Sequence, residues 1–208
     1  MPQKSNKGFT LIELLVVIAI IAILSIVVIL TLNPAELLRQ ARDSNRISDM
    51  ATLKSAISLY LADVGVPILA STSVGNTFYC YVDNTAANTS ATCPWFTTGA
   101  PCVTPGVANM VYTTAANQRA VNGAGWIPVN FNAISSGAPI GQLPVDPLDN
   151  DKLHYYSYHG SSTLTFKIAA KMESVKYSYG TGGTNDIEST DGGCYPSIYE
   201  TGTNLTNL

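Results

Sequence analysis

From Phe9 to Leu32 the chain runs for 24 residues with one ionisable side chain, Glu13. At about 1.5 Å rise per residue, a helix of that length spans about 36 Å, more than the roughly 30 Å hydrocarbon core of a bilayer. The run exceeds the roughly 7–15 apolar residues of a secretory signal and no A-x-A site follows it, so it is expected to be retained. A carboxylate at the centre of such a helix costs about 2.5–3.5 kcal/mol on insertion scales, and less near its end. Something is expected to offset that cost. On the plain reading of a membrane anchor, Glu13 snorkels toward the headgroups or stays protonated.

The residues around Glu13 point further. Lys7-Gly8-Phe9-Thr10-Leu11-Ile12-Glu13 resembles the class III signal of type IV pilins and type II secretion pseudopilins, with Gly8, Phe9 and Glu13 matching the family's positions one for one. A plain anchor needs no small residue followed by Phe before its first turn. The resemblance implies cleavage after Gly8 by a prepilin peptidase, methylation of the new N-terminal Phe9 by the same enzyme, and alignment of subunits by Glu13. It also implies a homopolymer that includes minor pilins or pseudopilins and is built by an inner-membrane assembly platform with its ATPase. The reading from another class is a signal-anchored monomeric surface domain for adhesion or ligand binding.

Composition narrows the remainder. The chain has 208 residues and 46% hydrophobic content, enough for a small domain beside a membrane segment. From Gly65 onward it is rich in Gly, Thr, Ser, Asn and Tyr and poor in charge, as exposed β-rich domains are. The formal charge of −3 becomes more negative once Lys4 and Lys7 leave with the leader, so no broad basic footprint for nucleic acid exists. Cys80, Cys93, Cys102 and Cys194 lack the paired spacing of a zinc knuckle and read as two disulfides formed in an oxidising compartment, with three pairings open. Lys and Arg flank both ends of the apolar run, so the positive-inside rule sets no orientation. The short N-terminal tail, the cysteines and the resemblance place the C-terminal domain outside. The expected locations are the inner membrane before assembly, spanned once and in contact with lipid, and a periplasmic or extracellular filament afterward.

Four segments follow: a leader at 1–8, a transmembrane and assembly helix at 9–32, an amphipathic helix at 33–64, and a β-rich extracellular domain at 65–208. The fold class expected is α+β and pilin-like, with a long N-terminal helix packed on a small antiparallel sheet. Asn33-Pro34-Ala35-Glu36 reads as a helix break and restart, because Pro34 cannot donate to the carbonyl four residues back and suits a first helical position. Ile47, Met50, Leu53, Ile57, Tyr60 and Val64 recur at spacings of three and four, which marks one core-facing stripe. Arg39 with Asp43, and Arg46 with Asp49, read as surface pairs in a charged band, either solvated or facing neighbouring subunits. Taken as one helix, residues 9–64 would form a continuous or kinked rod of about 84 Å. Thr77 to Asp83 reads as a strand, Trp126 to Phe131 as a short edge strand, and Leu153–His159 with Thr163–Met172 as a hairpin around Gly160-Ser161-Ser162. The tail from Tyr179 reads as loop.

Weaker resemblances lie downstream. Leu143-Pro144-Val145-Asp146-Pro147 with Tyr155, Tyr156 and Tyr158 is similar to the D-P turn and tyrosine-bearing strand of major pseudopilins, and Lys176-Tyr177 and Ser189 to Gly193 resemble tail motifs of pilin-like proteins. Some major pseudopilins bind calcium in a C-terminal acidic loop, which implies Asp186, Glu188 and Asp191 as ligands, beside Asn185. Asp146, Asp149, Asn150 and Asp151 form a second oxygen-rich set. Neither fits the EF-hand spacing, and Asx-rich turns arise without metal, so the expectation is no cofactor, with calcium as the alternative. Asn88 and Asn204 sit in glycosylation sequons. No catalyst is expected: there is no G-x-S-x-G or phosphate loop, and His154 and His159 read as surface or turn residues.

Overall fold

The computed structural model describes residues 8–69, 79–82, 109–112, 116–148 and 154–205, with backbone alone for 30–32, 79–82 and 109–112. Lys4 and Lys7, the Asn88 sequon, Cys93, Cys102, and Asp149, Asn150 and Asp151 lie outside the described residues. The chain divides into two compact units, Met1–Leu38 and Arg39–Leu208.

In the first unit, Thr10 holds an extended backbone and caps helix α1, Leu11–Leu32. Within α1, Leu11–Ile29 is long and apolar enough to cross a membrane, and none of it is buried. Ser25 Oγ donates to the carbonyl of Ile21 at 2.7 Å, so this hydroxyl is satisfied inside the helix. Asn33 adopts the left-handed conformation, φ 40°, and ends α1. Helix α2, Pro34–Asp63, restarts at once. Pro34 lacks the amide hydrogen that a first helical position leaves unused, and Glu36 N donates to Asn33 Oδ1 at 3.4 Å.

In the second unit, α2 buries Met50, Leu53, Ile57 and Tyr60. Each such side chain removed from water contributes about 1.5–3 kcal/mol. They pack against a five-stranded sheet and the loops around it. Strands β1 (Tyr79–Val82), β2 (Asn109–Tyr112), β3 (Ser157–Gly160), β4 (Phe166–Ala170) and β5 (Tyr199–Gly202) lie in the order β2-β1-β3-β4-β5. The architecture is therefore α+β. Pairs β1–β3, β3–β4 and β4–β5 are antiparallel; β1–β2 is parallel. Strand alternation separates two faces. Tyr158, Phe166, Ile168 and Ala170 enter the core, while His159, Lys167, Ala169 and Glu200 share the opposite face and are also buried.

The segment leaving α2 is pinned by two tyrosines: Ile68 N donates to the Tyr60 hydroxyl at 3.0 Å, and the Tyr158 hydroxyl donates to Leu69 O at 2.6 Å. A Cβ on Gly160 would lie 2.4 Å from that same carbonyl, so the close approach requires glycine. At the far end of α2, Asp63 accepts from Ser135 N and Oγ.

Three expectations change. Trp126 to Phe131 is no strand: it makes one isolated bridge, Asn122 to Asn130, before a 3₁₀ turn at Phe131–Ala133. Trp126, Ile127, Val129 and Phe131 are all fully buried, which an alternating edge strand does not allow. The tail is not all loop, because β5 pairs along β4. The charged band is only partly on the surface: Arg39 is exposed and Asp49 half-buried, but Asp43 and Arg46 have no exposed area.

Candidate processing and assembly site

Gly8 and Phe9 form an exposed, non-helical stretch immediately before the Thr10 cap. Phe9 is 79% exposed. A Cβ built on Gly8 meets nothing within 4 Å, so no contact among the described residues demands glycine there. Thr10 and Glu13 then close a reciprocal box. Glu13 N donates to Thr10 Oγ1 at 3.3 Å, while one Glu13 carboxylate oxygen accepts from Thr10 N at 2.9 Å and from Thr10 Oγ1 at 2.7 Å. The box thus satisfies two amides at the start of the helix, Thr10 N through the carboxylate and Glu13 N through the hydroxyl, and the carboxylate sits at the positive end of the helix dipole. The Gly8, Phe9 and Glu13 pattern does not name Thr10, although a Thr three residues before a Glu at the head of an apolar run is the signature of this box.

The second unit carries a buried ionic cluster that joins three chain segments. Arg46 Nε and Nη2 donate to Asp146 Oδ2 and Oδ1 at 2.7 and 2.8 Å, and its Nη1 donates to Asp43 Oδ1 at 2.8 Å. The same Nη1 lies 2.5 Å from Glu173 Oε1. Asp43 accepts from Glu173 N and Ser174 N, Asp146 accepts from Leu148 N, and Arg42 forks onto Glu173 at 2.9 and 2.7 Å. Burial works against the Arg46 charge, but the Asp146 and Glu173 carboxylates outweigh it and hold the guanidinium above its ordinary value. Burial likewise pushes Glu173 up, and Arg42 and Arg46 more than reverse this, leaving it below the usual carboxylate value. The D-P turn is therefore an arginine receptor. Asp49, read as a partner for Arg46, instead accepts from the Tyr156 hydroxyl at 2.8 Å.

The acidic residues of the tail are engaged separately. Asp186 accepts from Ser189 N and Oγ, Glu188 from Met172 N and Tyr179 N, and Asp191 from Gly193 N and Glu200 N. Burial raises Glu188 above its ordinary value and pushes Asp191 up to about 6, with the Glu200 charge adding to the latter. Among the described residues no three His, Cys, Asp or Glu side chains converge as a metal site.

Glu200 also pairs with Lys167 at 2.8 Å, both nearly fully buried. His159 lies opposite Lys167 on β3 and is 9% exposed, so it is not a surface residue; burial and the Lys167 charge lower it to about 4. Cys194 is disulfide-bonded. The side chains of Cys80, Cys93 and Cys102 lie outside the described residues.

Neither the curated proteins nor the solved structures contain a match to the chain. One family model does match, at the exposed Gly8-Phe9 junction and the capped apolar helix behind it: residues 3–29 carry the prokaryotic N-terminal methylation motif, the class III signal of type IV pilins and pseudopilins.

Proposed function

We propose that this chain is a prepilin-like subunit, cut after Gly8, methylated at Phe9 and polymerised through its apolar helix into a type IV pilus or a type II secretion pseudopilus. The observation that carries this reading is the methylation motif at residues 3–29, joined to an apolar helix whose Leu11–Ile29 span is unburied. An unburied apolar helix must be covered by lipid before assembly and by other copies after it. The Gly8-Phe9 bond, exposed and non-helical, gives a prepilin peptidase an accessible substrate. Minor pilins or pseudopilins, the assembly platform and its ATPase complete the set of partners. The C-terminal domain lies outside, its four cysteines form two disulfides, and its role is structural, with no cofactor required for assembly.

Mass spectrometry of the mature N-terminus tests the reading. A methylated Phe9 supports it, and a chain that still begins at Met1 or Pro2 refutes it. The Thr10–Glu13 box favours one second reading, a signal-anchored monomeric surface domain. On that reading Glu13 is no more than a helix cap, and the leader stays in place.

A further inference from the structure

On the sheet face opposite the core, Lys167 of β4 faces Gly202 of β5 and Ala169 faces Glu200, so Lys167 and Glu200 are diagonal neighbours. Lys167 Nζ stands 2.8 Å from Glu200 Oε1, with the two side chains 4% and 1% exposed. That contact lacks the angles of a hydrogen bond, and Oε1 accepts none, while Oε2 accepts from Tyr195 N at 3.0 Å. A buried ion pair offsets its desolvation only where its geometry is good and its other lone pairs are satisfied. This pair falls short at Oε1.

The segment from Asp191 to Tyr195 closes over the pair. The Tyr195 ring centroid lies 5.8 Å from Nζ, and Asp191 accepts from Gly193 N and Glu200 N. A Cβ on Gly193 would stand 2.1 Å from Glu200 Oε2, 2.7 Å from Glu200 Cδ and 3.0 Å from Asp191 Oδ1. Glycine is therefore what lets the two carboxyl groups close on one point beside the lysine. Burial, with the Glu200 charge adding, holds Asp191 at about 6, a value suited to both taking and returning a proton near neutrality.

We propose that Lys167 and Glu200 condense to an intramolecular amide, a covalent clasp between β4 and β5 whose formation Asp191 assists. Passing one proton from Nζ to the Glu200 carboxylate turns the ion pair into an amine and a carboxylic acid. The Nζ lone pair then adds to Cδ. Asp191 takes a second proton from the nitrogen and returns it to the departing hydroxyl, the Cδ–O bond breaks, and one water leaves. The Nζ–Cδ bond remains, and no oxidant or other reactant enters. Holding the two groups in contact makes the step intramolecular, and the buried site keeps out the water that would reverse it. Both buried charges vanish with the bond, which removes their desolvation cost.

Mass spectrometry of the full chain, purified in detergent and reduced, tests the clasp. The intact chain is expected to be one water lighter than its sequence from the observed N-terminus, and its digest to contain a branched peptide joining Lys167 to Glu200. A chain of full mass with a linear Lys167 peptide overturns the proposal, whatever the variants do. Ring closure at Asp191-Gly192 would also remove one water, so Lys167→Arg, which keeps the charge but has no ε-amine, is the control. The deficit should vanish in that variant, and a deficit that persists there overturns the proposal. Asp191→Asn is expected to leave most of the chain linear at residue 167. An undiminished yield of the branched peptide in Asp191→Asn would overturn the role given to Asp191. None of these outcomes bears on methylation of Phe9, so the clasp and the filament reading stand or fall separately.

Discussion

The guanidinium of Arg46 and the carboxylate of Asp146 meet through two parallel hydrogen bonds, 2.7 and 2.8 Å long, across a sequence separation of 100 residues. Both side chains are fully buried. Removing one partner of such a pair leaves the other charged and desolvated, which typically costs about 3–5 kcal/mol. Asp146→Ala is expected to lose toward the lower end of that range: Arg46 keeps Asp43 and Glu173, but its two-pronged contact is gone and Leu148 N also loses its acceptor. Denaturant unfolding of the full chain in a mild detergent measures it. Arg42→Ala, whose side chain is 29% exposed, should cost clearly less, about 1 kcal/mol.

Acid should loosen the cluster through Glu173. Its folded value lies below the ordinary 4.5, so its ionised form contributes stability that is fully present above about pH 4.5 and is lost as pH falls through the folded value. Unfolding free energy measured from pH 7 to pH 3 is expected to drop below about pH 4.5. In Glu173→Gln the drop should be smaller from an already lower plateau. An unchanged slope in the variant would show that Glu173 is not the group being titrated.

Gly8→Leu is expected to leave the precursor folded and inserted, because a side chain at this position meets nothing within 4 Å. The defect should appear only at the peptidase, which must fit a small residue beside the scissile bond. Gel mobility with and without the peptidase is the measurement. Normal processing of the variant would remove the glycine requirement, and with it the main chemical support for cleavage at this bond.

The cysteines predict a redox dependence. With Cys194 bonded and three further cysteines in the chain, native protein is expected to show no titratable thiol, and reduction should lower stability by about 2–4 kcal/mol for each bridge. Four reactive thiols in the native chain would refute the two-disulfide arrangement.

What the sequence made legible was whatever repeats. The apolar run and the Met50-Leu53-Ile57-Tyr60 stripe declare helices because periodicity is a local property, and Asn33-Pro34 declares the break between them by backbone chemistry alone. Asp43 and Arg46 lay on the same stripe, yet their charge suggested solvent. Their partners Asp146 and Glu173 are distant in sequence, and no local signal reports a contact of that range. Trp126 to Phe131 misled for a related reason: a strand-like composition can be buried on all sides in an irregular loop. Strand β5 was hidden because Tyr199 to Gly202 is short and polar, and its pairing with β4 supplies the stability that its own residues do not declare.

The last prediction separates two roles for Glu13. In the structure its carboxylate is already occupied, accepting from Thr10 N and Thr10 Oγ1 at the start of α1. In a filament we expect it to exchange part of that contact for the α-amino group of Phe9 on a neighbouring subunit, which would offset the cost of an acid in a low-dielectric bundle and fix the axial stagger. Thr10→Val removes the hydroxyl of the capping box, worth about 0.5–2 kcal/mol of helix stability, but keeps the carboxylate. Glu13→Ala removes the carboxylate but leaves Thr10 Oγ1 to accept from the amide at position 13. If the acid serves assembly, Thr10→Val should still form filaments, while Glu13→Ala should be cleaved and inserted normally and form few. Electron microscopy of sheared surface fractions, with processed subunit quantified in the membrane, reads both outcomes. Equal losses in the two variants would reduce Glu13 to a helix cap. Abundant normal filaments from Glu13→Ala would show that assembly uses neither the cap nor the charge.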